Sequence, residues 1–198
     1  MKRLVIYLFF LFFIFQTQLL TYSTNPKNFV SEIINDAITK LSDKNLSKDQ
    51  KVSFIEELAL ENVDVNALGL YTLGELRKSS TENEISTYQK SFKKYFLKSL
   101  TSRLSDYSSS EFIVIGEDKK SSNYTIVSSK IKPQDGSPEI KIDWRIYTKN
   151  PDKPLIRDLI VEGLSLARTQ KEEFASILSS NNNDIQILIN KLDEFIKN

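Results

Sequence analysis

Two residue types are missing altogether: the 198-residue chain contains no cysteine and no histidine. Without histidine, a Ser-His-Asp or Cys-His mechanism is excluded, and zinc and copper sites lose their commonest ligand. Without cysteine there are no disulfides, yet a chain of this length can stand on its core alone, so export remains open. Glycine is scarce at five residues, and no Gly-rich phosphate loop occurs. An excess of charge is also lacking, with 27 Lys and Arg against 26 Asp and Glu. That balance offers no basic field for nucleic acid or anionic lipid.

The apolar run Leu4 to Phe15 is too short to span a bilayer comfortably, and Gln16-Thr17-Gln18 follows it;. Preceded by Met1-Lys2-Arg3, it reads as a secretory signal peptide, the alternative being an uncleaved N-terminal anchor. Thr21 and Ser23 suit the −3 and −1 positions of a cleavage site. This predicts a leader over residues 1–23 and a single domain over 24–198, exported to the periplasm. Loss of Lys2 and Arg3 leaves 25 basic against 26 acidic residues, a net charge of −1.

Helical periodicity begins at Pro26 and runs to Leu41 through Val30, Ile33, Ile34, Ala37 and Ile38;. Ser47-Lys48-Asp49-Gln50 has the spacing of a capping box, and Asp64 can cap a short third helix that closes near Gly74. Thr81-Glu82-Asn83-Glu84 opens the longest helix, predicted to reach Leu104 and to be broken by Tyr107 to Ser110. It carries two stripes: Ile85, Tyr88, Phe92, Tyr95 and Phe96 on one side, Leu97, Leu100 and Leu104 on the other. Strands follow over 111–117 and 123–131, with a turn at Pro133 to Pro138.

Ile140 to Tyr147 then alternates without a break, Ile140, Ile142, Trp144 and Ile146 forming a dry face and Lys141, Asp143, Arg145 and Tyr147 a wet one;. Leu155 to Glu162 reads as its antiparallel return. Thr169-Gln170-Lys171-Glu172 predicts the start of a further helix, and Asp184 to Ile196 forms a last one. Helices segregated from a four-stranded antiparallel meander make an α+β fold.

Four acids lie near the centre: Asp143, Asp158, Glu162 and Glu173. Cross-strand pairing with Arg145 and Arg157 accounts for the first two without catalysis, at under ~1 kcal/mol per exposed pair. Glu162 precedes Gly163, and its carboxylate is predicted to accept N–H groups of the following turn. Ser165 follows that glycine with no base to activate it. A small hydrolase using acid pairs is therefore the weakest of the readings, and neither catalytic residues nor a metal site is predicted.

Asp143-Trp144-Arg145-Ile146, then Asp158 to Leu166, then Thr169-Gln170-Lys171-Glu172-Glu173-Phe174, match in order and spacing the C-terminal half of another group of proteins. The stretch resembles the MlaC family, periplasmic phospholipid-binding proteins once labelled toluene-tolerance proteins. The likeness extends back through Leu73-Gly74 to about Val63. It departs from the family at Glu75-Leu76-Arg77-Lys78 and at Lys153-Pro154-Leu155, where an aromatic is common, so the lining there does not transfer.

By pattern alone the dry face is an ordinary packed core. The resemblance instead implies helices standing off the sheet around acyl chains. The lining it implies is Phe112, Val114, Val127, Ile140, Ile142, Trp144, Ile146, Leu159 and Val161 from the sheet, with Phe92, Tyr95 and Phe96 from the long helix. Tyr95, Tyr107 and Tyr147 are candidates for the mouth. The cargo would be one diacyl glycerophospholipid, with no other cofactor. The implied partners are an outer-membrane lipoprotein–porin complex and an inner-membrane ABC transporter with an MCE-domain subunit. The rival from another class is a lipid-free envelope adaptor that binds a protein partner through its helices.

Overall fold

The computed structural model describes residues 22–102, 111–133 and 137–197. Helix starts follow the local chemistry read from the sequence. Asn25 caps α1 (Pro26–Ser42), its side-chain oxygen accepting from the Asn28 N–H at 3.0 Å. Reciprocal capping boxes open α2 (Lys48–Asn62) at Ser47/Gln50 and α4 (Glu82–Thr101) at Thr81/Glu84;. Asp64 caps α3 (Val65–Leu73), which Gly74 ends with φ of 64°, a value that only glycine adopts freely; a 3-10 turn over Gly74–Lys78 follows;.

The next strands form one antiparallel sheet in the order β1-β2-β3-β4-β5: β1 (Glu111–Lys119), β2 (Tyr124–Lys132), β3 (Ile140–Tyr147), β4 (Leu155–Val161) and β5 (Leu164–Ser165). The sheet thus has a fifth, two-residue strand beyond the four expected. Its turn is Glu162-Gly163, both residues with positive φ (48° and 83°), the geometry of a tight hairpin between Val161 and Leu164;. The Glu162 carboxylate does not accept from this turn. It accepts the Lys141 N–H across the sheet, and the Glu162 N–H donates to the Lys141 carbonyl at 3.0 Å.

Because the hairpin ends at Ser165, that residue becomes the helix cap. Helix α5 (Leu166–Ser179) therefore begins earlier than the Thr169 box suggests. Ser165 Oγ accepts from the Arg168 N–H at 3.0 Å, while Thr169 sits inside the helix and donates to the Ser165 carbonyl. Helix α6 (Ile185–Lys197) closes the chain. Leu104, the expected break at Tyr107 to Ser110, Gln134 to Gly136 and the expected leader up to Thr21 lie outside the described residues. Tyr22 is described, and packs edge-on against Phe29 while donating to Asp36 at 2.9 Å.

Apolar side chains collect into two cores. One is helical: Tyr88 and Phe92 of α4, Phe174 and Leu178 of α5, and Ile185, Leu188, Ile189 and Leu192 of α6, with Val65 and Leu73 of α3. The other lies on the sheet, where Phe29, Val30, Ile33 and Ile34 of α1 and Ile55 and Leu58 of α2 cover Val127, Ile146 and Ile156. Val63 touches both. There the chain is fastened to β4, the Asp64 N–H donating to the Ile156 carbonyl at 2.9 Å.

Close approach of α3 to α4 depends on Gly69. A Cβ there would meet the Gln89 side-chain oxygen and come within 2.9 Å of Phe92. Gly69→Ala should therefore lower stability by about 1–2 kcal/mol despite alanine's better helix propensity. A downward shift of the thermal midpoint by a few degrees would register this.

Candidate functional site

The dry face of the sheet is most deeply buried along its central strands, β2 and β3. Register places Thr125 opposite Ile146, Val127 opposite Trp144, Ser129 opposite Ile142 and Ile131 opposite Ile140. On the other side, Trp144 faces Leu159 and Ile142 faces Val161. At the Ile146 end, Ile146 and Val127 are 0% exposed beneath α1 and α2. Ile131 and Ile142 are buried at the other end as well, whereas Phe112 and Val114 of β1, Leu159 and Val161 of β4, and Ile140 and Trp144 of β3 are half-buried.

Of these, Phe112, Val114, Trp144 and Leu159 pack onto the sheet core together with Ile38 and Leu41 of α1, Phe54 of α2 and Leu100 of α4. An apolar floor thus runs from a dry interior to a partly exposed rim.

Trp144 is held in this floor by a polar contact that the sequence reading missed. Its indole N–H donates to Ser129 Oγ at 2.8 Å, and Ser129 in turn donates to the Ile142 carbonyl at 3.2 Å. Ser129 is 0% exposed. The signal was present in the alternation Thr125-Val127-Ser129-Ile131, which puts a hydroxyl on the dry face.

The long helix is turned differently from expectation. Its aromatic stripe faces helices, not the sheet: Phe92 meets Phe174 edge-on at 6.4 Å, Tyr95 lies 4.9 Å from Phe195, and Phe96 stacks on Phe92 at 6.5 Å. The Tyr95 hydroxyl donates to Gln170 at 2.8 Å. The amphipathic helices α5 and α6 need an apolar partner, and that stripe supplies it. Among the described residues, only the second stripe, through Leu100, reaches the sheet core. Phe92, Tyr95 and Phe96 are therefore not brought together with the nine sheet residues.

Tyr147 is not at the open rim either. It lies on the opposite face, its ring 5.3 Å from Tyr124 and 3.4 Å beneath the Arg157 guanidinium. Tyr107 lies outside the described residues.

That opposite face floors a groove of about 1020 Å³, walled by Ala67, Leu68, Leu70 and Tyr71 of α3. A bulge between β3 and β4 pairs Arg145 with Asp158 and Ile146 with Ile156, so that Arg157 and Asp158 both serve this side;. Arg157 bonds Asp64 through Nε at 2.8 Å and Tyr124 through Nη1 at 3.0 Å. Burial pulls its pKa down, but the bonds to Tyr124 and Asp64 and the Asp64 charge outweigh burial and hold it above the ordinary arginine value. Lysine has no planar fork with which to serve both partners and the ring. Arg157→Lys should lower stability by about 1–2 kcal/mol, seen as a lower urea midpoint with an unchanged slope.

Among the described residues, no group of three or more acids is placed to hold a metal ion. No described helix is long and apolar enough to cross a membrane.

Comparison with known proteins adds to this geometry. No curated protein matches the chain by sequence. A solved phospholipid-binding protein from Ralstonia solanacearum, determined in complex with a phospholipid, has a similar fold. It shares 18% sequence identity with a TM-score of 0.70, over 85% of this chain and 94% of that one. The family model described as MlaC protein matches residues 31–194. With most of its length inside that match, the chain belongs to the MlaC family.

Proposed function

We propose that this protein carries a diacyl glycerophospholipid through the periplasm, holding the acyl tails against the dry face of the sheet. The observation that carries this reading is the apolar floor that begins in a sealed core at Ile146 and Val127 and reaches a half-buried rim at Ile140, Val161 and Phe112. Family membership and the lipid bound by the Ralstonia protein support the choice of cargo.

Each methylene left in water costs ~0.8 kcal/mol, so a membrane-length chain costs on the order of 10 kcal/mol to extract unaided. A floor of Ile, Val, Leu, Phe and Trp offsets most of that cost for any diacyl lipid without reading its tails. The lining in this reading is Phe112, Val114, Val127, Ile140, Ile142, Trp144, Ile146, Leu159 and Val161, with Leu100 above it. Tails enter at the rim as α1, α2 and the end of α4 shift from the sheet. The headgroup stays in water.

Family likeness further supports a shuttle role. Lipid would pass between an outer-membrane lipoprotein–porin complex and an inner-membrane MCE-domain transporter, maintaining outer-membrane lipid asymmetry. Handover is then a shift in the helix–sheet equilibrium, biased by the partner's surface. A leader over residues 1–23 would deliver the chain to the periplasm.

Native mass spectrometry of the purified protein tests the cargo. A mass increment of one diacyl lipid per chain supports the carrier. A lipid-free mass after gentle purification favours the adaptor.

A further inference from the structure

We propose that the groove on the charged face docks an acidic, partly apolar segment of a protein partner. The argument starts from how its ion pairs are set. In two pairs the carboxylate is sunk and the cation stands outward: Asp143 is 20% exposed against 53% for Lys141, and Asp158 1% against 43% for Arg145, while Asp64 and Arg157 are both mostly buried.

Each sunken acid is also held by donors from within the protein. Ser128 donates to Asp143 at 2.6 Å, Ser165 and the Ala167 N–H to Asp158 at 2.6 and 3.0 Å, and the Ala67 N–H to Asp64 at 3.1 Å. The acids spend their acceptor capacity inward, and Lys141 and Arg145 keep donor capacity facing out, whereas Arg157 is committed to Asp64, Tyr124 and the Tyr147 ring. Arg77 and Lys120 bring the cations to five, the Arg77 guanidinium donating only to the Leu70 carbonyl, at 3.3 Å, among the described bonds. Lys120 pairs with Asp118, an exposed acid that also lines the groove.

A partner therefore meets a floor where Arg77, Lys120, Lys141, Arg145 and Arg157 outnumber Asp118 and Asp143, beside an apolar wall where Leu70 and Tyr71 are 36% and 40% exposed. The cations are spread along β3, β4 and the turns after α3 and β1, not converged on a point. That suits carboxylates spaced along a chain better than one small anion. The concave shape and the leucine–tyrosine wall suit interleaved apolar side chains better than a flat anionic bilayer. The groove lies on the sheet face opposite the lipid floor, so docking can proceed with cargo in place.

Fluorescence anisotropy with a labelled peptide of Glu-Leu-Asp-Ser repeats tests this, against a matched peptide carrying Lys in place of Glu and Asp. The full chain should bind the acidic peptide and not the basic one. Arg77→Glu with Lys141→Glu should weaken binding at least about tenfold while leaving the bound-lipid mass increment unchanged. If that double variant does not fold, raising salt to ~0.5 M on the unaltered protein should weaken binding by a similar factor. No binding at low salt, equal binding of both peptides, or binding indifferent to both charge reversal and salt would overturn the proposal. So would displacement of the peptide by millimolar inorganic phosphate, or capture of phosphatidylglycerol vesicles in its place.

Discussion

Val161→Asp and Trp144→Asp should each strip the protein of co-purifying phospholipid. Both residues lie on the half-buried part of the dry face, where a new carboxylate would face acyl chains instead of water. Burying an unpaired charge costs several kcal/mol, and each ~1.4 kcal/mol lowers occupancy about tenfold. Occupancy should therefore fall at least about a hundredfold for Trp144→Asp, which also removes the indole bond to Ser129;. Val161→Asp sits nearer the rim, where a carboxylate reaches solvent more readily, and should fold with an unaltered circular dichroism spectrum. Thin-layer chromatography of solvent extracts measures the loss. Full lipid recovery from folded Val161→Asp protein would contradict the assignment of that rim to acyl tails.

The second large effect concerns stability. Asp158→Ala should destabilise the fold by about 3 kcal/mol, on the order of 10 °C in the thermal midpoint. Its carboxylate is buried and ties three elements together: β4, which carries it; Ser165 at the hairpin end; and the first turn of α5 through the Ala167 N–H. Removing it leaves the half-buried Ser165 hydroxyl proton and the Ala167 amide without their acceptor, the costly half of the hydrogen-bond asymmetry;. Arg145→Ala should cost under ~1 kcal/mol, because its side chain is 43% exposed and water replaces the ion pair;. Scanning calorimetry of the two variants separates them. Equal losses would mean that the Arg145 ion pair, and not the α5 anchor, is what Asp158 contributes.

Period-two alternation through Ile140 to Tyr147 was enough to separate the two sheet faces, because a strand side chain has only two directions to choose from. Capping residues at Ser47, Asp64 and Thr81 likewise act through bonds to neighbours in the chain, so their positions are local facts. Thr169 misled for a tertiary reason: the Glu162-Gly163 hairpin delivers Ser165 to the helix start first. The orientation of α4 was equally beyond reach. Its two stripes were visible, but which one meets the sheet depends on α6, whose Phe195 claims the Tyr95 side. Ser129 and Arg157 belong to the same class. A buried hydroxyl under a tryptophan, and an arginine turned by a bulge, are set by register between strands and not by their own neighbours.

Trp144 is the chain's sole tryptophan, and so it reports on the proposed floor without any alteration of the protein. Its fluorescence should be read after loading with phosphatidylcholine brominated along the acyl chains, with uptake verified by extraction. Contact between tails and the dry face predicts loss of most of the emission relative to unbrominated lipid. Undiminished emission from protein shown to hold brominated lipid would place the tails elsewhere and contradict the account.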